Sequence, residues 1–322
     1  MSISIARVGE ILQNSENVYI LTHKNPDGDC LGTGAALCRY LISIGKRAIV
    51  VNSDPIPPKY DYLFEGLPQE SFEPETVIAV DVADPKLLGS YEPLADRTVL
   101  CIDHHVSNKL YAKETYLCPE DGAAALSLYR IFRELDIPID RVMADCLYTG
   151  LSTDTGCFRY SNANAECYRA AADLIELGAD NARINVVMFE TKPYADFMIL
   201  SDAFAGLRLF YGGKVSVLKV SQEMLKARGA TEDSFEFVTA MSRQIEGVLC
   251  GITMKQIPSG EYKISLRTRE PLDASDICAQ LGGGGHMRAA GCTAGDDEEA
   301  SLHVLLDYLA KLLGEEPERG TV

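Results

Sequence analysis

CIDHHVSN, residues 101–108, sets one carboxylate and two imidazoles in succession behind an apolar run, in a chain with only five histidines among 322 residues. Adjacent imidazoles have little use in a buried structural position but suit a metal or phosphate site. Three other segments end in the same residue types. HKNPDGD (23–29) carries His23, Asp27 and Asp29, AVDVAD (79–84) carries Asp81, and GLSTDTG (150–156) carries Asp154. Each has an ordinary reading on its own. An Asp after a strand is commonly a turn or helix cap, as Asp84 before Pro85 is read, and HKNPDGD is also a Pro-Asp-Gly turn. Together they are harder to dismiss. Acids converging without cations repel one another and raise each other's pKa values, which divalent ions relieve. Carboxylates and imidazoles without thiolates suit Mn²⁺ or Mg²⁺, with Zn²⁺ or Co²⁺ also open. Six or seven such ligands suit two ions, about 3.5–4 Å apart, sharing a hydroxide and clamping a phosphoryl group in line. The chemistry implied is hydrolysis of a phosphate ester.

The elements that must position these groups are legible around them. NVYILTH (17–23), RAIVVNS (47–53), TVIAVDV (76–82) and TVLCIDHH (98–105) are short runs rich in Val and Ile. DCLGTGAALCRYLISIG (29–45), GAAALSLYRIFREL (122–135), DRVMADCLYTGLSTD (140–154) and ECYRAAADLIELGAD (166–180) read as helices between or after them. Near-continuous apolar strands separated by helices predict a parallel sheet covered on both faces. Ligand groups in such sheets gather beyond the carboxyl ends of the strands, where these polar residues fall. After about residue 190 the texture changes. PYADFMILSDAFAGLRLFY (193–211) reads as a linking helix, and KVSVLKVS, GVLCGITMKQIP and YKISLRT read as strands of a second sheet. The expected fold class is α/β, a parallel-sheet domain over 1–190 with helices on both faces, a helical linker over 191–211 and a smaller α/β domain over 212–322. The tail GEEPERGTV is expected to fray.

Composition narrows the partner. With 47% hydrophobic and 24% charged residues the chain reads as a globular protein, and no uninterrupted apolar run of membrane-spanning length occurs. The first twenty residues lack a basic region followed by an apolar core, so no signal peptide is expected and the expected location is cytoplasmic. Ten scattered cysteines form no C-x-x-C pair and read as reduced. Thirty basic against 47 acidic residues give a net charge of −17, which argues against a long nucleic-acid partner. Any nucleic-acid substrate is expected to be short, with its charge met locally.

Taken in order, HKNPDGD, the strand end at Asp81, DHH at 103–105 and GLSTDTGCFR (150–159) resemble the four motifs of the DHH phosphoesterase superfamily. ISLRTREPLDASDICAQLGGGGHMRAAG (264–291) resembles the glycine-rich signature of its DHHA1 C-terminal domain. Size and layout are most similar to the bacterial oligoribonuclease and pAp-phosphatase (nanoRNase) group, which also has relatives that cleave cyclic di-AMP or its linear product. The resemblance implies that His23 and Asp27 hold a first divalent ion and Asp29 a second, with Asp81 bridging both. His104 and Asp154 would complete the second site, manganese being the first expectation and magnesium or cobalt the others. It further implies that His105 faces the scissile phosphate, that Asp103 orients an imidazole, and that a hydroxide between the two ions is the nucleophile. Gly283, Gly284, Gly285 and His286, with Arg288 and Arg267, are expected as a loop before a helix start that grips a terminal phosphate or base across an interdomain cleft. Arg159 is a further candidate phosphate contact, with a surface salt bridge as its alternative. The implied activity is end-wise hydrolysis of short oligoribonucleotides and dephosphorylation of pAp, in a chain that can form a homodimer. The alternatives are a cyclic di-AMP or pApA phosphodiesterase, a manganese pyrophosphatase, a processive single-strand exonuclease and a non-catalytic nucleotide-binding regulator.

Overall fold

The computed structural model describes residues 2–231, 234–295 and 297–318, so residue 1 and residues 319–322, the outer ends of the two expected domains, lie outside the described residues. The chain divides into two compact units, Met1–Thr191 and Lys192–Val322. The first runs α1 (Ile5–Asn14), β1 (Val18–Leu21), α2 (Gly28–Ser43), β2 (Ala48–Val51), β3 (Thr76–Val80), β4 (Thr98–Asp103), β5 (Glu114–Leu117), α3 (Ala124–Glu134), α4 (Arg141–Asp154), α5 (Ala165–Glu176) and α6 (Asn181–Asn185). Its five strands form an all-parallel sheet in the order β2-β1-β3-β4-β5. The order reverses direction between β1 and β3, and a switch point of this kind opens a crevice beyond the strands' carboxyl ends.

Alternation along each strand sends side chains to opposite faces. Val18, Ile20, Ile78, Val80, Leu100 and Ile102 join α1 to α5 in one large core. Tyr19, Leu21, Val77, Ala79 and Cys101 join a smaller one, covered by the 3₁₀ segment Pro85–Arg97 through Leu88 and Ala95. Helical cover therefore lies on both faces, thick on one and thin on the other. The strand β5 and this thin cover are features that the apolar runs did not disclose.

Two helices, α2 and α4, carry site residues and are mostly buried. The α2 helix is capped by the Asp27 carboxylate, which accepts from the Asp29 and Cys30 N–H groups. It packs on α4 through glycine. A Cβ at Gly32 would stand 2.3 Å from the Cys146 carbonyl oxygen, a backbone atom that cannot rotate away. Gly32→Ala should therefore cost about 2 kcal/mol net, ~3 from overpacking less ~1 gained in helix propensity. Urea denaturation checks this; unchanged or raised stability would mean that the two helices can part freely.

The second unit contains α7 (Tyr194–Ala205), β6 (Arg208–Phe210), β7 (Val215–Val220), α8 (Gln222–Arg228), α9 (Ser234–Ser242), β8 (Cys250–Gln256), β9 (Tyr262–Thr268), α10 (Ala274–Ala279), β10 (Gly284–His286), β11 (Ala289–Thr293) and α11 (Glu298–Leu313). The segment read as a linking helix over 193–211 ends as a helix at Gly206, and its last residues become β6, paired antiparallel with β7. Ile199 and Ala203 of α7 bury against Leu218, Val220 and Val238 within this same unit. The sheet order is β10-β11-β9-β8-β7-β6, with only β7 and β8 parallel. The expected frayed tail is tethered as far as it is described. Glu315 pairs with Lys214, and Glu318 accepts from the Tyr211 N–H.

Candidate metal centre

The first unit's polar residues converge at the switch point. The chain leaves β1 at Leu21 and reaches His23; it leaves β3 directly into Asp81, and β4 ends on Asp103, followed by His104 and His105. Asp154 is the last residue of α4. Asp81 has φ 58°, left-handed backbone that Asp tolerates better than most side chains, and its N–H donates to the Ile102 carbonyl at 2.9 Å.

His23 Nε2 lies 3.5 Å from Asp27 Oδ1 and 3.6 Å from Asp81 Oδ2. His104 Nε2 lies 3.5 Å from Asp81 Oδ1 and 3.8 Å from both Asp29 Oδ2 and Asp154 Oδ2. The two oxygens of Asp81 thus face different imidazoles. The Nδ1 atoms of both rings sit against carbonyl oxygens, His23 on Lys24 at 2.9 Å and His104 on Asp121 at 3.0 Å. A carbonyl only accepts, so in the neutral tautomer each Nδ1 carries the hydrogen and each Nε2 turns a lone pair inward. Separations of this size are too long for hydrogen bonds. They are separations that donor atoms converging on a shared divalent ion would have. Asp81 Oδ1 and His104 Nε2 are buried with no hydrogen-bond partner among the described residues. Leaving such atoms unpaired is costly, and the donor set fits divalent metal.

Electrostatics agree. Burial alone would lower the His104 pKa, but the Asp81, Asp29 and Asp154 carboxylates overcome it and hold the imidazole up to about 10. His23 is raised in the same way against burial, by Asp27 and Asp81. Burial and neighbouring carboxylates push Asp29 well up, and burial with Asp81 and Asp27 pushes Asp154 up to about 6 despite His104. Imidazoles and carboxylates are raised together, so without ions the cluster draws in protons to offset its negative charge. Asp29 has a second employment: its carboxylate accepts from the Ala124 and Ala125 N–H groups at 2.6 and 2.9 Å, capping α3, whose own Ala123 cannot.

Asp103 is fully buried, and the ring it holds is that of His105, whose Nδ1–H donates to it at 2.8 Å. It also accepts from the His104 N–H and from the Asn108 amide. Burial would raise the Asp103 carboxyl, and the His105 and Asn108 donors outweigh that and lower it. The bond to Asp103 in turn raises the His105 pKa. His105 is half exposed, the most open of the histidines in this cluster. Cys30, not singled out in the sequence, lies beside His23 and Asp27 within donor range. Burial pushes its thiol up to about 12, so it stands there neutral.

The remaining candidates are Arg159 in the first unit and the glycine-rich segment with its arginines in the second. Arg159 is exposed, with its Nε donating to the Gly156 carbonyl and its guanidinium over the Phe189 ring; no described carboxylate pairs with it. The glycine-rich segment is not a loop before a helix. Gly284–His286 forms the edge strand β10, because the chain turns at Met287-Arg288 into β11 instead of coiling. Arg267, Ala289 and His286 are directly cross-paired, so their side chains share one sheet face, with Gly291 and Gly284 two residues along the same face. Arg288 donates to the Leu272 carbonyl at 2.7 Å and pairs with Glu270. A Cβ at Gly283 would meet the Gly291 carbonyl oxygen at 2.3 Å, a close approach that only glycine permits.

Comparison with known proteins agrees with this architecture. The DHH family N-terminal domain matches residues 17–151, and the DHHA1 domain matches residues 212–315. The chain is 31% identical, over 89% of its length and 87% of the relative's, to the bifunctional oligoribonuclease and PAP phosphatase NrnA of Thermus thermophilus. In fold it is similar to an exopolyphosphatase-related protein from Bacteroides fragilis, with TM-score 0.85, 21% identity and 97% of both chains covered. It is also similar in fold to RecJ of Thermus thermophilus in complex with Mn²⁺, with TM-score 0.56 and 16% identity over 95% of this chain and 54% of that one. With both domains matched in order and this degree of identity to a full-length relative, the chain belongs to the DHH family of phosphoesterases, in its DHH–DHHA1 form.

Proposed function

We propose that this chain is a two-metal phosphoesterase that hydrolyses short oligoribonucleotides from an end and dephosphorylates pAp. The observation that carries this reading is that Asp81 Oδ1 and His104 Nε2, buried where the donor groups meet, have no hydrogen-bond partner among the described residues. His23, Asp27 and Asp81 would hold one ion, and Asp81, His104, Asp154 and Asp29 the other, with manganese favoured by the donor set. When bound, the ions supply Lewis acidity, lowering the pKa of a water and offsetting charge on the phosphoryl oxygens. His105 acts beside them. Asp103 fixes its Nδ1–H and favours its charged form, so its other ring nitrogen can donate to a phosphate oxygen as charge develops there.

In the second unit, Arg267 and His286 stand on one face around Ala289, Gly284 and Gly291, and the missing side chains leave room for a base or a terminal phosphate. Arg288, committed to Leu272 and Glu270, is proposed to support this face from its own loop. The net charge of −17 disfavours long polyanions, and the named activities of the Thermus relative support short ones.

Rates with Mn²⁺ on pAp, pApA, a five-nucleotide RNA, cyclic di-AMP and pyrophosphate test the assignment. pAp and the short RNA should be turned over fastest; a preference for cyclic di-AMP or pyrophosphate would replace it with one of those readings. His286→Ala should raise KM for the RNA about tenfold, the loss of one hydrogen bond to a charged group, with kcat nearly unchanged. Equal KM values for variant and parent would remove this face from substrate binding.

A further inference from the structure

We infer that Asn162 is a positioning residue for the metal centre, tying Asp154 to the same backbone segment, residues 120–125, that orients His104 and Asp29. The inference rests on the reading above, in which those three side chains face the ions. The segment touches His104 and Asp29 directly through its main chain, and Asp154 through Asn162. The Asp121 carbonyl accepts from His104 Nδ1 at 3.0 Å, and the Ala124 and Ala125 N–H groups donate to Asp29 at 2.6 and 2.9 Å. The Gly122 carbonyl accepts from Asn162 Nδ2 at 2.9 Å, and the same amide lies 3.2 Å from both the Asp154 carbonyl and its Oδ2. Two amide hydrogens are thus shared among three acceptors, one on the segment and two on Asp154.

The segment is itself pinned. The buried Asp121 carboxylate accepts from Arg130 at 2.6 Å and from Ser127 Oγ at 2.8 Å, and Asn164 Nδ2 donates to the Glu120 carbonyl at 2.8 Å. A Cβ at Gly122 would meet the Asn162 carbonyl oxygen at 2.5 Å, so the two strips of chain are in close contact.

Getting Asn162 there takes an unusual backbone. Gly156, Cys157 and Phe158 are all left-handed, with φ of 58°, 57° and 60°. Two of them carry side chains, at about 1–2 kcal/mol each. The turn is held by the Cys157 N–H on the Ser152 carbonyl, the Phe158 N–H on Thr155 Oγ1, and the Phe158 ring against Tyr148 and Tyr168. Its effect is to reverse the chain directly after Asp154 and bring Asn162 back over it. Little of this is visible in the residue types alone, since Asn162 acts through contacts between separate segments and Asp121 acts on His104 through a carbonyl.

Mn²⁺ binding to the full chain, by calorimetry or by the electron-spin resonance of free ion, tests the role without turnover. Asn162→Ala should weaken Mn²⁺ affinity about 10–100-fold, the usual effect of losing a partner that orients a ligand. Asn162→Ser, which keeps one donor, should recover part of the loss. Asp81→Asn is the control. If it loses Mn²⁺ affinity while Asn162→Ala binds like the parent, this inference fails and the metal reading stands. If Asp81→Asn also binds like the parent, the metal reading itself falls. A lower melting point of chelated Asn162→Ala with unchanged Mn²⁺ affinity would mark a purely structural residue and overturn the role. Should Asn162→Ala not fold, Asn162→Ser and Asp121→Asn carry the same comparison.

Discussion

Asp81→Asn is expected to lower kcat by about a thousandfold or more while the chain folds normally. Its two oxygens face different imidazoles, and Oδ1 has no hydrogen-bond partner among the described residues, as the proposed sharing of this carboxylate between two ions requires. An amide keeps one carbonyl oxygen and replaces the other with an NH₂ that cannot ligate. The loss is several kcal/mol of charge stabilisation, at 1.36 kcal/mol per decade of rate. Asn is a better choice than Ala because the residue has φ 58°, and Asn is the other side chain that accepts this backbone readily. An Ala variant would mix strain with the lost ligand. Removing a carboxylate from a crowded acidic site should leave the melting point of the chelated protein equal or higher. A variant with near-normal kcat at saturating Mn²⁺ would falsify the shared-carboxylate role.

The second large effect is on stability against pH, with its size set by metal. In the chelated protein the Asp154 pKa of about 6 lies above the unfolded value of about 3.9, so ionising Asp154 costs the folded state. Stability falls as pH rises through that window. His104, held up to about 10 against about 6.5 unfolded, contributes stability that is complete below about 6.5 and is lost as pH climbs toward 10. Both groups act in the same direction. Mn²⁺ binds the deprotonated forms, so its stabilisation grows over the same range and reaches about 2.7 kcal/mol at one hundred times Kd. Melting points in EDTA should therefore decline from pH 5 to pH 9, while those in Mn²⁺ should not, and Mn²⁺ should restore activity that EDTA removes. A gap between the two series that stays constant with pH would show that these groups do not meet the ions.

How much of this could be read in advance depended on how each residue acts. The convergence of His23, Asp27, Asp81 and His104 was legible because side-chain chemistry and position after an apolar strand coincide, and that of Asp154 because a like residue ends a helix. The strands and α2 to α5 were legible for a similar reason, since burial on both faces writes itself as unbroken apolar sequence. The strand β5 was not, being only ETYL, with two of its four residues buried. The thin cover at Pro85–Arg97 was hidden by its two prolines and glycine, which carry no helical pattern while Leu88 and Ala95 close the smaller core. GGGGH suggested a loop because glycine's freedom is visible in sequence, whereas its pairing partner, β11, is a tertiary fact. Asp121 was missed because its carbonyl, common to every residue type, contacts His104, and Asn162 because its three acceptors lie on two separate segments.

The left-handed backbone at Asp81 bears on how degenerate relatives of such a chain are to be judged. A lineage released from selection for turnover would still be confined at this position, because Asp, Asn, Gly and, less readily, His accept this backbone while most side chains are strained by it. An aspartate surviving there is thus weak testimony that an enzyme is alive. His23 and Asp154, whose backbones are ordinary, have no such protection from drift. Their loss, more than any change at 81, is the earlier mark of a pseudoenzyme.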